Sequence, residues 1–301
     1  MIAHDSRFLA FHSAPVWFTF YGVNRDDDVV RVWRESAPFW EKHRETVRVM
    51  FEPVTRALVE DAHIAAGMCV LDVACGSGEP GLTLAEIVES KGCVTCTDII
   101  SEMVASAEEA AARRDLTNMK FSQCAADSLP FPNGSFDATV CRFGVMFFPE
   151  PLAGLREMLR VTRQDGRVAL AVWYNSESNP FFHVVTEILA RYVEAPPDDP
   201  QAPGAFRFAE PGVLARILRQ AGAIDVRERV LDFPITAPIS PHEFWTVRSE
   251  MSDTVREKLA QIDQAQHAQV KQDVIEAVRA FFPKGQMKFP AKAIIVSGVK
   301  K

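Results

Sequence analysis

The sequence predicts an α/β chain with a largely parallel sheet, extended by helical segments at its start and before its last strand. Three observations predict it. From Gly67 onward, short apolar runs alternate with helical stretches, as in a sheet whose strands are joined by crossover helices. The first of these runs, Met68–Ala74, leads through a Gly-rich turn, Cys75–Gly78, directly into a helix. And 301 residues at 48% hydrophobic and 24% charged are enough to bury a full core without disulfides or metals.

Each element has a local reason. Phe8–Tyr21 is aromatic-rich, holding Phe8, Phe11, Trp17, Phe18, Phe20 and Tyr21. Asp26–Asp28 suit a first helical turn, where carboxylates meet the positive end of the helix dipole. Val29–His63 reads as two or three helices, interrupted at Pro38 and Pro53. The helix after the glycines starts near Pro80, where proline's missing N–H costs nothing, and runs to Ser90. The strand Cys93–Thr97 ends at Asp98, and the helix Glu102–Arg114 follows with Ser101 as its N-cap.

Next come a strand at Met119–Cys124, a loop with Asp127 and Pro130–Gly134, and a strand at Phe136–Cys141. Leu152–Thr162 is a helix, Asp165–Gly166 a turn and Arg167–Trp173 a strand. The alternation then loosens. A helix at Pro180–Tyr192 precedes a Pro/Asp-rich loop, Ala195–Gly204, and a helix at Glu210–Ala221 ends at Gly222. Ile224–Phe233 is a strand, Ser240–Phe282 reads as two helices, and Ala293–Val299 is the last strand.

Bulk properties exclude some functions. A net charge of −7 argues against a nucleic-acid partner, because phosphate binding needs a basic face. Arg31, Arg34, Lys42, Arg44 and Arg48 cluster in sequence and read as the solvated face of a helix. The six cysteines lie among strand-like runs. The odd spacing of Cys93 and Cys96 points their thiols to opposite faces of a strand, and no further ligand pair completes a metal site. Reduced thiols in a cytoplasmic protein are expected, with no bound metal. The start lacks a secretory pattern, and the uncharged stretch from Phe8 to Asn24, broken by His12, Ser13 and Pro15, is short for a membrane span. No integral membrane association is expected.

The informative stretch is Val70-Leu71-Asp72-Val73-Ala74-Cys75-Gly76-Ser77-Gly78-Glu79-Pro80-Gly81. Its GxGxxG spacing is also that of a dinucleotide fingerprint, so the glycines alone decide little. The flanking charges decide more. Asp72 and Glu79 border the loop, and no Lys or Arg occurs between Gly67 and Lys91. Such a loop would repel a pyrophosphate, whereas a ligand with an ammonium and a sulfonium suits acidic flanks.

This run resembles the glycine-rich motif of class I S-adenosylmethionine (SAM)-dependent methyltransferases, in the branch similar to ubiquinone/menaquinone-biosynthesis enzymes. The resemblance covers about Cys69–Trp173 well, and Gly212–Phe233 and Ala293–Val299 more loosely. It implies that Ala74, Gly76 and Gly78 lie along the methionine end of SAM, with Asp72 supporting the loop. Asp98 matches the acid that binds both ribose hydroxyls, a task suited to two acceptor oxygens. Ile99 and Met103 match positions that sandwich adenine, and Asp127 the acid that accepts from its amino group, with Ser128 beside it. Arg142 and Phe143 fall where the family lines the methyl end, although Arg142 could instead pair with a nearby carboxylate. The implied fold is a Rossmann-like, seven-stranded mixed sheet with its last strand antiparallel. The implied reaction moves the SAM methyl to an acceptor and releases S-adenosylhomocysteine.

The expected organisation is a helical cap (1–66), a cofactor-binding core (67–235), a helical insertion over the acceptor (236–291) and a final core strand (292–301). The apolar residues of Phe8–Tyr21, Met146–Phe148 and Phe181–Phe182 point to a small apolar or aromatic acceptor. The methylated atom stays open among oxygen, carbon and nitrogen, and a homodimer is compatible with the sequence. In-line transfer needs chiefly alignment. If a base is used, His183 is the candidate by topology, ahead of His12, His242 and Tyr174. Two rivals share these residues. An NAD(P)-dependent oxidoreductase would have to explain the acidic loop, and a non-catalytic SAM-binding partner would lack an aromatic-lined route to the sulfonium.

Overall fold

A computed structural model describes residues 25–194 and 202–301. Phe8–Tyr21, His12 and most of the Pro/Asp-rich loop lie outside the described residues. Seven strands form one sheet: β1 (Cys69–Val73), β2 (Cys93–Asp98), β3 (Met119–Gln123), β4 (Phe136–Arg142), β5 (Thr162–Trp173), β6 (Ala223–Ala237) and β7 (Met287–Lys300). Their order is β3-β2-β1-β4-β5-β7-β6. The first five pair in parallel, and β7 enters antiparallel to both β5 and β6, so the sixth strand runs with the first five. This is the Rossmann-like mixed sheet that the resemblance implies. β1 and β2 are buried along almost their whole length, as strands covered on both faces must be.

Some boundaries move for physical reasons. β6 and β7 pair from Ala223↔Lys300 to Ala237↔Met287, beyond the expected limits at Phe233 and Ala293. Pro234 and Pro290 face each other in this extension and disguise it, since proline ordinarily argues against a strand. The alternating residues Phe233, Ile235, Met287 and Phe289 are nevertheless buried. The turn at Asp165–Gly166 lies inside β5, where the ladder slips between Phe136↔Thr162 and Ala138↔Arg167.

The N-terminal helices are α1 (Arg25–Lys42) and α2 (Arg44–Asp61). Pro38 and Pro53 sit inside them, and the break falls instead at His43. Packing overrides propensity here. α2 buries Val47, Met50, Phe51, Val54 and Leu58 as it crosses β4 to β7. The crossover helices α3 (Gly81–Val88) and α4 (Ser101–Arg113) cover β1 to β3. Ser101 is not the N-cap of α4. Ile100 holds that position, and the Asp98 carboxylate accepts its N–H at 3.0 Å, while Ser101 Oγ donates to Glu102.

Then come α5 (Pro151–Val161), α6 (Pro180–Leu189) and α7 (Val213–Ala221), the last stopped by Gly222 in the left-handed region. The insertion holds three helices rather than two: α8 (Pro241–Met251), α9 (Asp253–Leu259) and α10 (Gln264–Ala277). Capping boxes at Ser240/Glu243 and Asp263/Gln266 and a cap at Ser252 set the three starts. α1 packs against α2, α4 and α8, which places it over the carboxyl ends of the first strands.

Candidate active site

A cavity of about 280 Å³ opens at the carboxyl ends of β1, β2 and β4 and is roofed by α1. β1 and β4 are neighbours from which the strand order runs outward in both directions, the place where open α/β sheets bind ligands. Its floor is the glycine loop. Cys75 N–H donates to Thr97 O at 2.9 Å, and Gly76 N–H donates to Asp98 Oδ2 at 2.9 Å, which stitches the loop to the end of β2. Gly76 has φ +55°, and a Cβ there would meet no atom within 4 Å. The loop therefore presents bare backbone to the cavity.

The other two glycines serve packing. A Cβ on Gly78 would lie 2.8 Å from Leu82 and 3.3 Å from the Ala107 backbone, and one on Gly81 would strike Cys96 Sγ. Asp72 Oδ2 accepts the Gly81 N–H at 2.8 Å beneath the loop. Asp72 is fully buried, and burial pushes its carboxyl up to about 8 despite Arg142 nearby. Of the two acids flanking the loop, only Glu79 lines the cavity, and Arg114 pairs with it at 3.0 Å. The acidic flank read from the sequence is therefore a buried carboxyl and an ion pair, not two free charges facing a ligand.

Ala74, Gly76, Asp98, Ile99, Met103, Asp127, Arg142 and Phe143 all line the cavity. Asp98 sits at its edge with both oxygens accepting backbone N–H groups, and burial raises its carboxyl. Ile99 is 43% exposed although apolar, Met103 is buried against Ala37 and Ile100, and Asp127 is exposed on the opposite wall. Asp72, Gly78, Ser128 and His183 do not line it. Ser128 closes a turn through its N–H to Ala125 O, and the ring Nδ1 of His183 lies 2.9 Å from Ser176 O. His242 is exposed on α8.

Among the described residues Arg142 pairs with no carboxylate. Its Nη1 donates to Thr55 Oγ1 at 2.8 Å and its Nη2 to Glu79 O at 2.9 Å, tying α2 to the loop. Phe143, at φ +62°, stacks on Trp173 with centroids 4.1 Å apart and meets Phe51 edge-on at 5.4 Å.

Sequence reasoning did not name the residues by which α1 covers the cavity. Trp33 and Trp40, two turns apart on α1, line the cavity and pack over Ile100 and Met103. Their i, i+7 spacing was the available signal. Arg44 is buried, not part of a solvated face. It donates through Nε to Ser77 O at 2.7 Å and through Nη2 to Ser106 O at 2.9 Å. Trp40 Nε1 is a buried donor without a partner among the described residues. The six thiols are free, and no cluster able to hold a metal ion occurs among the described residues. No helix among them is long and apolar enough to cross a membrane.

Sheet order, glycine loop and terminal acid together define a class I methyltransferase fold, and comparison with known proteins agrees. Residues 70–166 match the methyltransferase domain family. The chain is 30% identical over 197 residues to nocamycin O-methyltransferase of Saccharothrix syringae, spanning 62% of this chain and 70% of that protein. It is 35% identical over 120 residues to the uncharacterized methyltransferase YcgJ of Bacillus subtilis, which covers 40% and 46% of the two chains. To the aklanonic acid methyltransferase DauC of a Streptomyces species it is 34% identical over 119 residues, or 40% and 54%. For these last two the match spans about half the relative's length. The crystal structure of YcgJ shares the fold at a TM-score of 0.54 and 22% identity, over 82% of this chain and 97% of that one. The chain belongs to the class I SAM-dependent methyltransferases, and its cofactor is SAM.

Proposed function

We propose that the cavity under α1 holds SAM and that the chain transfers its methyl group to a small apolar or aromatic acceptor, releasing S-adenosylhomocysteine. One observation carries this reading. A single cavity joins the bare Gly76 backbone and the acid Asp98 to the aromatic side chains Phe51, Phe143 and Phe147. The first two suit the cofactor, and the rings suit an apolar acceptor beside it.

The residues present fit SAM. The space over Gly76 that a Cβ would fill suits close approach of the methionine part. Trp40 Nε1 lacks an acceptor, and Arg44 brings a cation beside Ser77; both suit a carboxylate. Asp98 suits the ribose diol, Asp127 the adenine amino group, and Ile99 and Met103 the adenine faces. When bound, SAM supplies an electrophilic methyl on a sulfonium. The chain's own contribution is alignment and exclusion of water by the roof of α1 and the wall of Phe143 and Trp173. No general base is assigned here, since His183 is not among the residues lining the cavity.

In this reading α1 and α2, the described part of the expected 1–66 cap, cover the cavity, and 236–291 is the insertion that braces them. Supporting contacts run from Glu250 of α8 to Lys42 at 2.7 Å and to His43 at 2.6 Å. Oxygen is the first acceptor atom to test, since the nocamycin relative bears that name. The test incubates the protein with methyl-labelled SAM and a panel of hydroxylated aromatic compounds. Label transferred to an organic-soluble product supports the reading. Binding of S-adenosylhomocysteine without transfer to any panel member would favour a SAM-binding protein that does not catalyse.

A further inference from the structure

The loop that carries Asp127 is held from outside the cavity, by the helix behind it. α5 reaches the cavity at Gly154, where an added Cβ would lie 2.8 Å from Phe148 and 3.6 Å from Ala126. Further along that side of the helix, at successive i, i+3 steps, stand Glu157 and Arg160, neither of which lines the cavity. They pair with each other: Arg160 Nε donates to Glu157 Oε1 at 2.6 Å and Nη2 to Oε2 at 2.8 Å. Both then reach the same loop residue. Glu157 Oε2 accepts the Leu129 N–H at 3.0 Å, and Arg160 Nη2 donates to Leu129 O at 2.8 Å. Arg160 Nη1 fastens the next stretch, donating to Phe131 O at 2.7 Å and to Asn133 Oδ1 at 2.9 Å.

A surface ion pair one helical turn apart ordinarily contributes little. This one has side chains only 31% and 22% exposed, and it takes up both backbone groups of a single loop residue. The Arg160 hydrogen bonds hold the Glu157 carboxyl below its ordinary range, so the pair is ionised at neutral pH. At its other end the loop is pinned by Cys124 N–H on Asp98 O at 3.0 Å, and Ser128 N–H closes a turn on Ala125 O at 3.2 Å. Asp127 stands between these anchors, exposed on the cavity wall, two residues before the clamped Leu129.

The purine edge that such an acid meets makes its fixity matter. Adenine presents an amino donor beside N1, an acceptor, whereas hypoxanthine presents a carbonyl acceptor beside an N1–H donor. An ionised carboxylate can only accept. Held in place, it loses its hydrogen bond and faces an oxygen when the 6-oxo purine arrives. On a loose loop it can slide to the N1–H and recover the bond. Discrimination therefore depends on what holds the loop as well as on the acid.

We propose that the Glu157–Arg160 pair is a positioning device that fixes Asp127 against the purine edge of the cofactor and so selects a 6-amino over a 6-oxo purine. This rests on the placement of SAM proposed above, with Asp127 at the adenine amino group.

The test titrates S-adenosylhomocysteine and S-inosylhomocysteine into the full chain by calorimetry, with melting temperatures recorded alongside. The wild type is expected to prefer the adenine compound by about tenfold or more. Asp127→Asn, whose amide can turn a donor toward the carbonyl, should lose that preference. Glu157→Ala and Arg160→Met should lose most of it, because the freed loop lets the inosine compound bind more tightly than it binds the wild type. Glu157→Gln, which keeps an acceptor for the Leu129 N–H, should fall between, and it decides the matter if the harsher variants do not fold. A preference that survives every substitution of the pair, with only the melting temperature falling, overturns the proposal, since the pair would then serve the fold alone. Equal binding of the two compounds to the wild type also overturns it, while leaving SAM binding intact. If neither compound binds, the methyltransferase reading itself falls and takes the proposal with it.

Discussion

Arg142 at the end of β4 donates to the Thr55 hydroxyl of α2 at 2.8 Å, and the same guanidinium holds Glu79 O of the cofactor loop. One buried side chain therefore joins the N-terminal cap to the loop that faces the cofactor. Arg142→Met leaves a buried hydroxyl and a buried carbonyl without their donor. A loss of about 2–4 kcal/mol is expected, as for other broken buried charge contacts. Urea unfolding measures it, and a loss within experimental error would show that the latch carries no stability.

Asp72 gives the fold a pH dependence of defined sign. Its carboxyl rests near 8 in the folded chain and near 3.8 when unfolded. Between those values the folded chain keeps a proton that the unfolded chain has released, so stability falls as pH rises through this window. The slope is at most about 1.4 kcal/mol per pH unit. Asp72→Asn, which cannot ionise, should flatten the dependence of melting temperature on pH between 5 and 8. An unchanged slope would mean that Asp72 is ionised in the folded protein.

Gly81 and Gly76 should fail in opposite ways. At Gly81 a Cβ would strike Cys96 Sγ, so Gly81→Ala is expected to cost about 1–3 kcal/mol. Adding Cys96→Ala makes room and should return part of that loss, a coupling readable in a double-mutant cycle. Additive effects would contradict the contact.

At Gly76 the same methyl meets open space, and only the left-handed backbone opposes it, at about 1–2 kcal/mol. Gly76→Ala should therefore fold, yet bind S-adenosylhomocysteine at least tenfold more weakly. Wild-type affinity would show that the cofactor does not approach this part of the loop.

The sheet was legible because its information is local. The run from Val70 to Gly81 names a strand, a turn and a helix, and Asp98 marks the end of the next strand. Less legible was whatever depends on contacts between distant segments. Pro53 looks like a break until α2 is seen buried on the sheet. Arg44 looks solvated until Ser77 and Ser106 are brought to it. The same holds for Arg142, whose partners lie 87 and 63 residues away in sequence. For His183, position along the chain suggested the acceptor side, but the helix turns its ring toward Ser176.

Everything proposed for the site depends on SAM binding in the cavity under α1 through the Gly76 loop and Asp98. Calorimetric titration with S-adenosylhomocysteine tests it most directly, with Asp98→Asn and NADH as controls. Binding in the micromolar range is expected, weakened at least tenfold in an Asp98→Asn chain whose melting temperature shows it folded, with no heat from NADH. Binding of NADH with none of S-adenosylhomocysteine would contradict it.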